Sequence, residues 1–76
     1  MTYEDKRWAE AASAYRRLAD AVQPRSEKEE AMTRYVRATV GTGDAGAVVR
    51  MADDVAGYDA AGQTAWREAQ FAKANV

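Results

Sequence analysis

The chain has 76 residues, of which 11 are basic and 12 acidic, so its formal net charge is −1. That balance produces no strong field to draw nucleic acid or an acidic membrane surface towards the protein. Histidine and cysteine are both absent, which removes the side chains most used for metal binding, nucleophilic attack and proton transfer near neutral pH.

The composition predicts one small helical domain spanning residues 1–76. About a quarter of the chain is alanine, the strongest helix former. No apolar run approaches the ~18 residues that a membrane span needs, and without a disulfide the chain gains nothing from an oxidising compartment. We therefore expect a cytoplasmic protein that does not enter a membrane.

The first helix is predicted over residues 3–22. Thr2 to Asp5 resemble a capping box at its start, and Pro24 ends it because the residue before a proline is pushed out of the α region. Apolar residues recur at three- and four-residue spacing, which indicates one core-facing stripe. This stripe comprises Trp8, Ala11, Ala12, Tyr15, Leu18, Ala19 and Val22.

A second helix is predicted over residues 27–40. Ser26 to Glu29 form a further capping box, and Glu30 and Arg34 are spaced to pair across one turn. Gly41 stands where a left-handed residue would end the helix. The residues expected to face inward are Met32, Tyr35, Val36 and Thr39.

The rest of the chain predicts a third helix over 45–56, capped by Asp44 and stopped by Gly57, and a fourth over 60–74, capped by Asp59. The alternative is one long helix, at a cost of about 1 kcal/mol for each glycine inside it. We favour the break. The apolar stripe of the third helix is Val48, Met51, Ala52 and Val55.

The fourth helix carries an unusual face, in which a seam of alanines continues to Val76 and allows a neighbouring helix to approach closely. Trp66 and Phe71 fall on opposite flanks of the seam, so both cannot enter one small core. The seam comprises Ala61, Ala65, Ala69 and Ala72. Together the four segments predict an all-α fold, a small antiparallel bundle of three or four helices.

Two motifs invite a ligand interpretation that their context does not support. Gly41 to Gly46 match the letters of G-x-G-x-x-G, but a dinucleotide site needs a strand before the glycines and another after the helix. We interpret the segment as a helix end, a turn and a helix start. The aspartates at 53, 54 and 59 do not have the spacing of a calcium loop, because from Asp53 the glycine comes fifth and Thr64 occupies the twelfth place.

Catalysis is not indicated either. The acidic residues are capping candidates or exposed helix positions, and the hydroxyl side chains have no basic partner at a recognisable spacing. We also expect a chain of this size to leave little room for a pocket of ~300 Å³. The sequence therefore predicts a non-enzyme that has neither cofactor nor metal.

The leading functional prediction is a protein-interaction module. Leu18 is the only leucine and isoleucine is absent, so the core is thin, and a protein partner or a second copy of the chain would stabilise it. The arginine- and alanine-rich composition is typical of a GC-rich bacterium or its phages, which suggests a small regulator or inhibitor of a larger host complex, defence machinery included. The predicted anchors are Trp66, Phe71 and Tyr58, and the predicted polar rim is Arg34, Arg37 and Arg67.

The alternative is a small nucleic-acid-binding regulator. Basic residues concentrate in the predicted first two helices, where some would share one edge of a hairpin and could contact phosphates. Acidic residues interleave with them, which weakens the patch. The basic set is Arg16, Arg17, Arg25, Lys28, Arg34 and Arg37.

Overall fold

The computed structural model describes the backbone of residues 3–76 and the side chains of residues 7–76. Over that range the chain forms helices and no strand, so the predicted all-α bundle with separate third and fourth helices is confirmed. None of the described helices combines the length and hydropathy that a bilayer crossing requires. The helices are α1 (Tyr3–Ala21), α2 (Arg25–Gly41), α3 (Ala45–Ala56) and α4 (Gly62–Ala74).

Helix α2 is the centre of the fold. The backbone of α1 packs along α2 and not along α3 or α4, whereas α3 and α4 pack on α2 and on each other. Lys28 Nζ donates to Ala19 O at 2.9 Å, which places the start of α2 beside the end of α1, so these two helices are antiparallel. The principal extents of 36 × 25 × 14 Å describe a flat molecule.

The core forms mainly where α2, α3 and α4 meet. Its largest fully buried side chains are Met32, Met51, Val36 and Val55. The predicted alanine seam is confirmed at Ala61, Ala65 and Ala69, which are 3%, 0% and 0% exposed. The apolar stripes predicted for the second and third helices are confirmed too, since the inward residues are buried except Tyr35, which is half-buried.

The predicted core stripe of α1 is wrong in part. Only Ala12 and Ala19 of that stripe are buried, while Trp8 and Leu18 are 47% and 45% exposed. The reason is that the backbone of α1 packs closely against α2 alone, which covers a narrower strip than a bundle interior would. Trp8 still packs against α2, because a Cβ added at Gly41 would lie 2.9 Å from its ring.

The structure corrects both predicted ends of α2. The helix begins at Arg25, after the N-cap residue Pro24, and no side chain caps it, so the box predicted from Ser26 is wrong. The Pro24 carbonyl already accepts from Glu27 N at 3.0 Å, and the ring fixes a φ of −77° that suits a helix start. At the other end, Gly41 is helical, and the left-handed residue is Gly43 with a φ of 71°.

The ends of α3 are as predicted, and the start of α4 is not. Asp44 Oδ1 accepts from Ala47 N at 3.2 Å, and Gly57 is the C-cap. Asp59 does not cap α4: its N-cap is Ala61, with no side-chain hydrogen bond. The chain enters α4 through Gly62, whose φ of 83° disfavours any residue with a side chain. The predicted box from Thr2 to Asp5 lies outside the described residues.

Candidate partner-binding groove

An open groove of about 880 Å³ runs between α2 and α4, with the first turns of α3 beside them. We call it the α2–α4 groove. The expectation that the chain has little room for a pocket is therefore wrong. Small side chains at Ala45 and Ala72 leave the space between the helices unfilled. The apolar side chains that line it are Val36, Val40, Ala45, Val48, Phe71, Ala72 and Val76.

Three large apolar side chains of this groove are exposed to solvent. Val40 is 46%, Val76 59% and Phe71 72% exposed; Val40 is on α2, Phe71 is on α4, and Val76 follows the C-cap of α4. Scattered exposed hydrophobic residues are normal in soluble proteins, but a contiguous exposed patch is typical of a binding surface. The groove brings these three side chains to one apolar surface, which makes it the candidate binding surface of the described residues.

Charged residues border the groove. Arg37 on α2 donates two hydrogen bonds to Glu68 on α4, at 3.0 and 3.1 Å, and these bonds raise the pKa of Arg37 above its ordinary value. The ion pair joins the two helices at one end of the groove. Because its two hydrogen bonds are short, α2 and α4 must lie side by side there. Arg67 also lines the groove, but it has no ion pair or hydrogen bond within residues 7–76.

The six residues predicted from the sequence to contact a partner do not form one site. Phe71, Arg67 and Arg37 line the α2–α4 groove, and Trp66 does not, although it is 49% exposed. Arg34 makes the predicted pair with Glu30, at 2.7 Å. Its side chain borders a smaller neighbouring cleft.

Tyr58 is committed to contacts within the chain. Its hydroxyl donates to Ala19 O at 3.1 Å, and the Arg16 guanidinium lies 4.6 Å from the centre of its ring. Its side chain packs against the core cluster. We therefore assign Tyr58 to the packing of α1 against the rest of the fold.

The sequence interpretation missed Val40 and Asn75 as groove residues. Val40 comes one turn after Val36 and so continues its apolar face, a signal that could have identified it. Asn75 is the C-cap of α4, and its Nδ2 donates to Phe71 O at 2.7 Å. Within the described residues its Oδ1 has no donor. No sequence signal marks that acceptor.

Most cations of the predicted basic edge are hydrogen-bonded inside the chain. Arg16 donates to Asp54 at 2.6 and 3.2 Å and pairs with Asp20 at 3.0 Å, which raises the pKa of Arg16 and lowers that of Asp20. Arg25, Lys28, Arg34 and Arg37 contact carboxylates or backbone carbonyls in the same way. The edge therefore has less free positive charge than its sequence suggests.

Within residues 7–76, the acidic side chains do not gather in a group of three or more that could hold a metal ion. The glycines from 41 to 46 follow helix α2 rather than a strand, so the interpretation of that motif as a helix end, a turn and a helix start is confirmed.

A further cleft of about 240 Å³ lies between α1 and α3 and is lined in part by Tyr35. Burial, supported by the nearby charge of Asp54, raises the pKa of Tyr35 to about 12. The ordinary pKa of a tyrosine is about 10. The stability that the folded protein gains from keeping Tyr35 protonated is therefore fully present below about pH 10 and is lost as the pH rises to about 12.

We expect the phenolate step of Tyr35 to have a midpoint near pH 12 in an alkaline absorbance titration of the folded protein. The Tyr35→Phe variant should lack that step and keep the others. If the step that Tyr35→Phe removes has its midpoint near pH 10 instead, burial does not raise the pKa of Tyr35.

Comparison with known proteins adds no relative: no family model matches the chain, and neither a curated protein nor a solved structure resembles it significantly.

Proposed function

We propose that this chain is a non-catalytic protein-interaction module and that the α2–α4 groove binds an amphipathic helix of a partner protein. The observation that supports the proposal most directly is the exposure of Val40, Phe71 and Val76 around one apolar groove. Burying such side chains is the main favourable term in protein association.

The length of the groove favours a helix of about two turns. From Glu68, where the ion pair crosses, to Asn75 the helix α4 rises about 10 Å. A helix that docks in a groove contacts it through residues at positions i, i+3, i+4 and i+7, which span about 10 Å as well. Arg67 at the rim favours an oxygen acceptor on the partner, a carboxylate or a side-chain amide, because a guanidinium carries only donors.

The cellular role in this proposal is that of a small cytoplasmic regulator or inhibitor from a bacterium or phage. Such a protein would act by covering a surface of a larger host complex, defence machinery included. The composition of the chain supports the GC-rich origin, and the groove supports action by binding. The nucleic-acid alternative gains no support from the geometry, because the basic edge is largely paired with acidic groups and carbonyls.

A defined peptide can test the groove. The probe is a fluorescent synthetic helix with leucines at positions i, i+3, i+4 and i+7 and a glutamate at the rim position, and fluorescence anisotropy reports its binding. We expect saturable binding to the parent chain. Phe71→Ala should weaken it about tenfold or more, since a buried phenylalanine contributes about 1.5–3 kcal/mol and each 1.4 kcal/mol is a factor of ten.

Trp66→Ala is the matched control, because Trp66 is an exposed aromatic residue on the same helix that does not line the groove. It should change the affinity by about threefold or less. Circular dichroism should show both variants to be helical. Equal losses in the two variants, or no saturable binding by the parent chain, would refute the groove as the docking surface.

A further inference from the structure

The exposed face of α4 is complementary to itself. Arg67, Phe71 and Asn75 follow one another at four-residue spacing and all line the α2–α4 groove, so they form one ridge along the helix. We propose that the helix bound by the groove is α4 of a second copy of this chain, antiparallel to the first and related to it by a two-fold axis at Phe71. This inference rests on the proposed function and names its partner.

The polar residues of the ridge support this arrangement. When two antiparallel α4 helices cross at Phe71, the residue four positions before it faces the residue four positions after it on the other copy. Arg67 therefore meets Asn75 of the second copy, and the same contact forms twice.

The chemistry of that contact is matched. Arg67 carries only donors and has no polar partner within residues 7–76. Asn75 donates its amide to Phe71 O and keeps its side-chain oxygen as an acceptor. The two copies of Arg67 would lie eight residues apart along the crossing, about 12 Å, so like charges do not oppose each other.

The apolar part of the contact fits as well. Phe71 is 72% exposed and stands at the edge of a groove of about 880 Å³, so its counterpart from a second copy can enter beside Val40 and Val76.

Sedimentation velocity of the full chain, over about 5 to about 500 µM, tests the proposal. We expect a reversible dimer whose dissociation constant rises at least about tenfold in Phe71→Ala and stays within about threefold in Trp66→Ala. A parent chain that remains monomeric throughout the range overturns the inference. So does a dimer that Phe71→Ala leaves intact.

The register can be tested without altering Phe71. The chain has no cysteine, so Arg67→Cys and Asn75→Cys each introduce a single thiol at an exposed position. On oxidation, a mixture of the two variants should give disulfide-linked dimers, because facing Cα atoms come within the roughly 4.4–6.8 Å that a disulfide needs. Either variant oxidised alone should give few disulfide-linked dimers, because its two thiols do not face each other in this arrangement. If Arg67→Cys alone cross-links as well as the mixture of the two variants does, the antiparallel register is overturned.

The synthetic helical probe separates this inference from the proposed function. If the second copy occupies the groove, an excess of the probe should dissociate the dimer. A monomeric chain that binds the probe and loses it on Phe71→Ala refutes the second copy and leaves the docking groove in place. A chain that neither dimerises nor binds the probe refutes both.

Discussion

Met51→Ala should lower the free energy of unfolding by about 2–5 kcal/mol, which is the range for removing a large side chain from a packed core. Met51 is 1% exposed and is one of the largest side chains that the core contains. A domain of this size has a net stability of only a few kcal/mol. The variant is therefore expected to be largely unfolded at room temperature, as is Met32→Ala, whose parent residue is 0% exposed.

Chemical denaturation followed by far-ultraviolet circular dichroism measures this effect. Met51→Leu is the control, because it nearly conserves volume and should cost less than about 1.5 kcal/mol. A loss below about 1 kcal/mol in Met51→Ala would mean that the side chain is not enclosed as described.

Ala69→Leu should destabilise the fold for the opposite reason. Ala69 is 0% exposed, in the seam where α4 packs against its neighbours, and a larger side chain has no space to enter. Overpacking of this kind typically costs about 1–3 kcal/mol. Because α4 meets both α2 and α3, a displaced α4 disturbs two helix contacts at once, and we expect the upper end of that range.

Comparing the thermal denaturation of Ala69→Leu with that of the control variant Ala74→Leu separates the cost of overpacking from the effect of placing a leucine in α4. Ala74 is on the same helix and is exposed, and alanine and leucine have similar helix propensities. The control should therefore change the stability by less than about 0.5 kcal/mol. Similar melting temperatures for the two variants would show that the seam tolerates volume and that α4 is not closely packed.

Periodicity was sufficient to predict the helices of this chain, because each has an apolar stripe or a clear terminator. The positions of Met32 and Met51, for example, follow from three- and four-residue spacing. It was not sufficient for α1, where Trp8 and Leu18 lie on the stripe and remain half exposed. Burial depends on how many helices surround a stripe, and the stripe itself carries no such information.

The site was predictable only in part for a similar reason. The sequence predicts that Trp66 and Phe71 lie on opposite flanks of α4. Which of the two lines the groove depends on where α2 lies, and the sequence pattern does not specify that position. The cap at Ser26 was wrong because Pro24 already starts the helix. The groove itself arises from small residues on three helices, and no local pattern specifies an unfilled space between distant segments.

The central place of α2 has an evolutionary consequence. The backbone of α1 packs along α2 and not along α4, and α1 supplies no residue to the α2–α4 groove. Mutations on the solvent-facing side of α1, at the exposed Arg17 for instance, should give the protein a new surface and leave its binding specificity little changed. Divergent descendants of this chain should be sought by their last three helices.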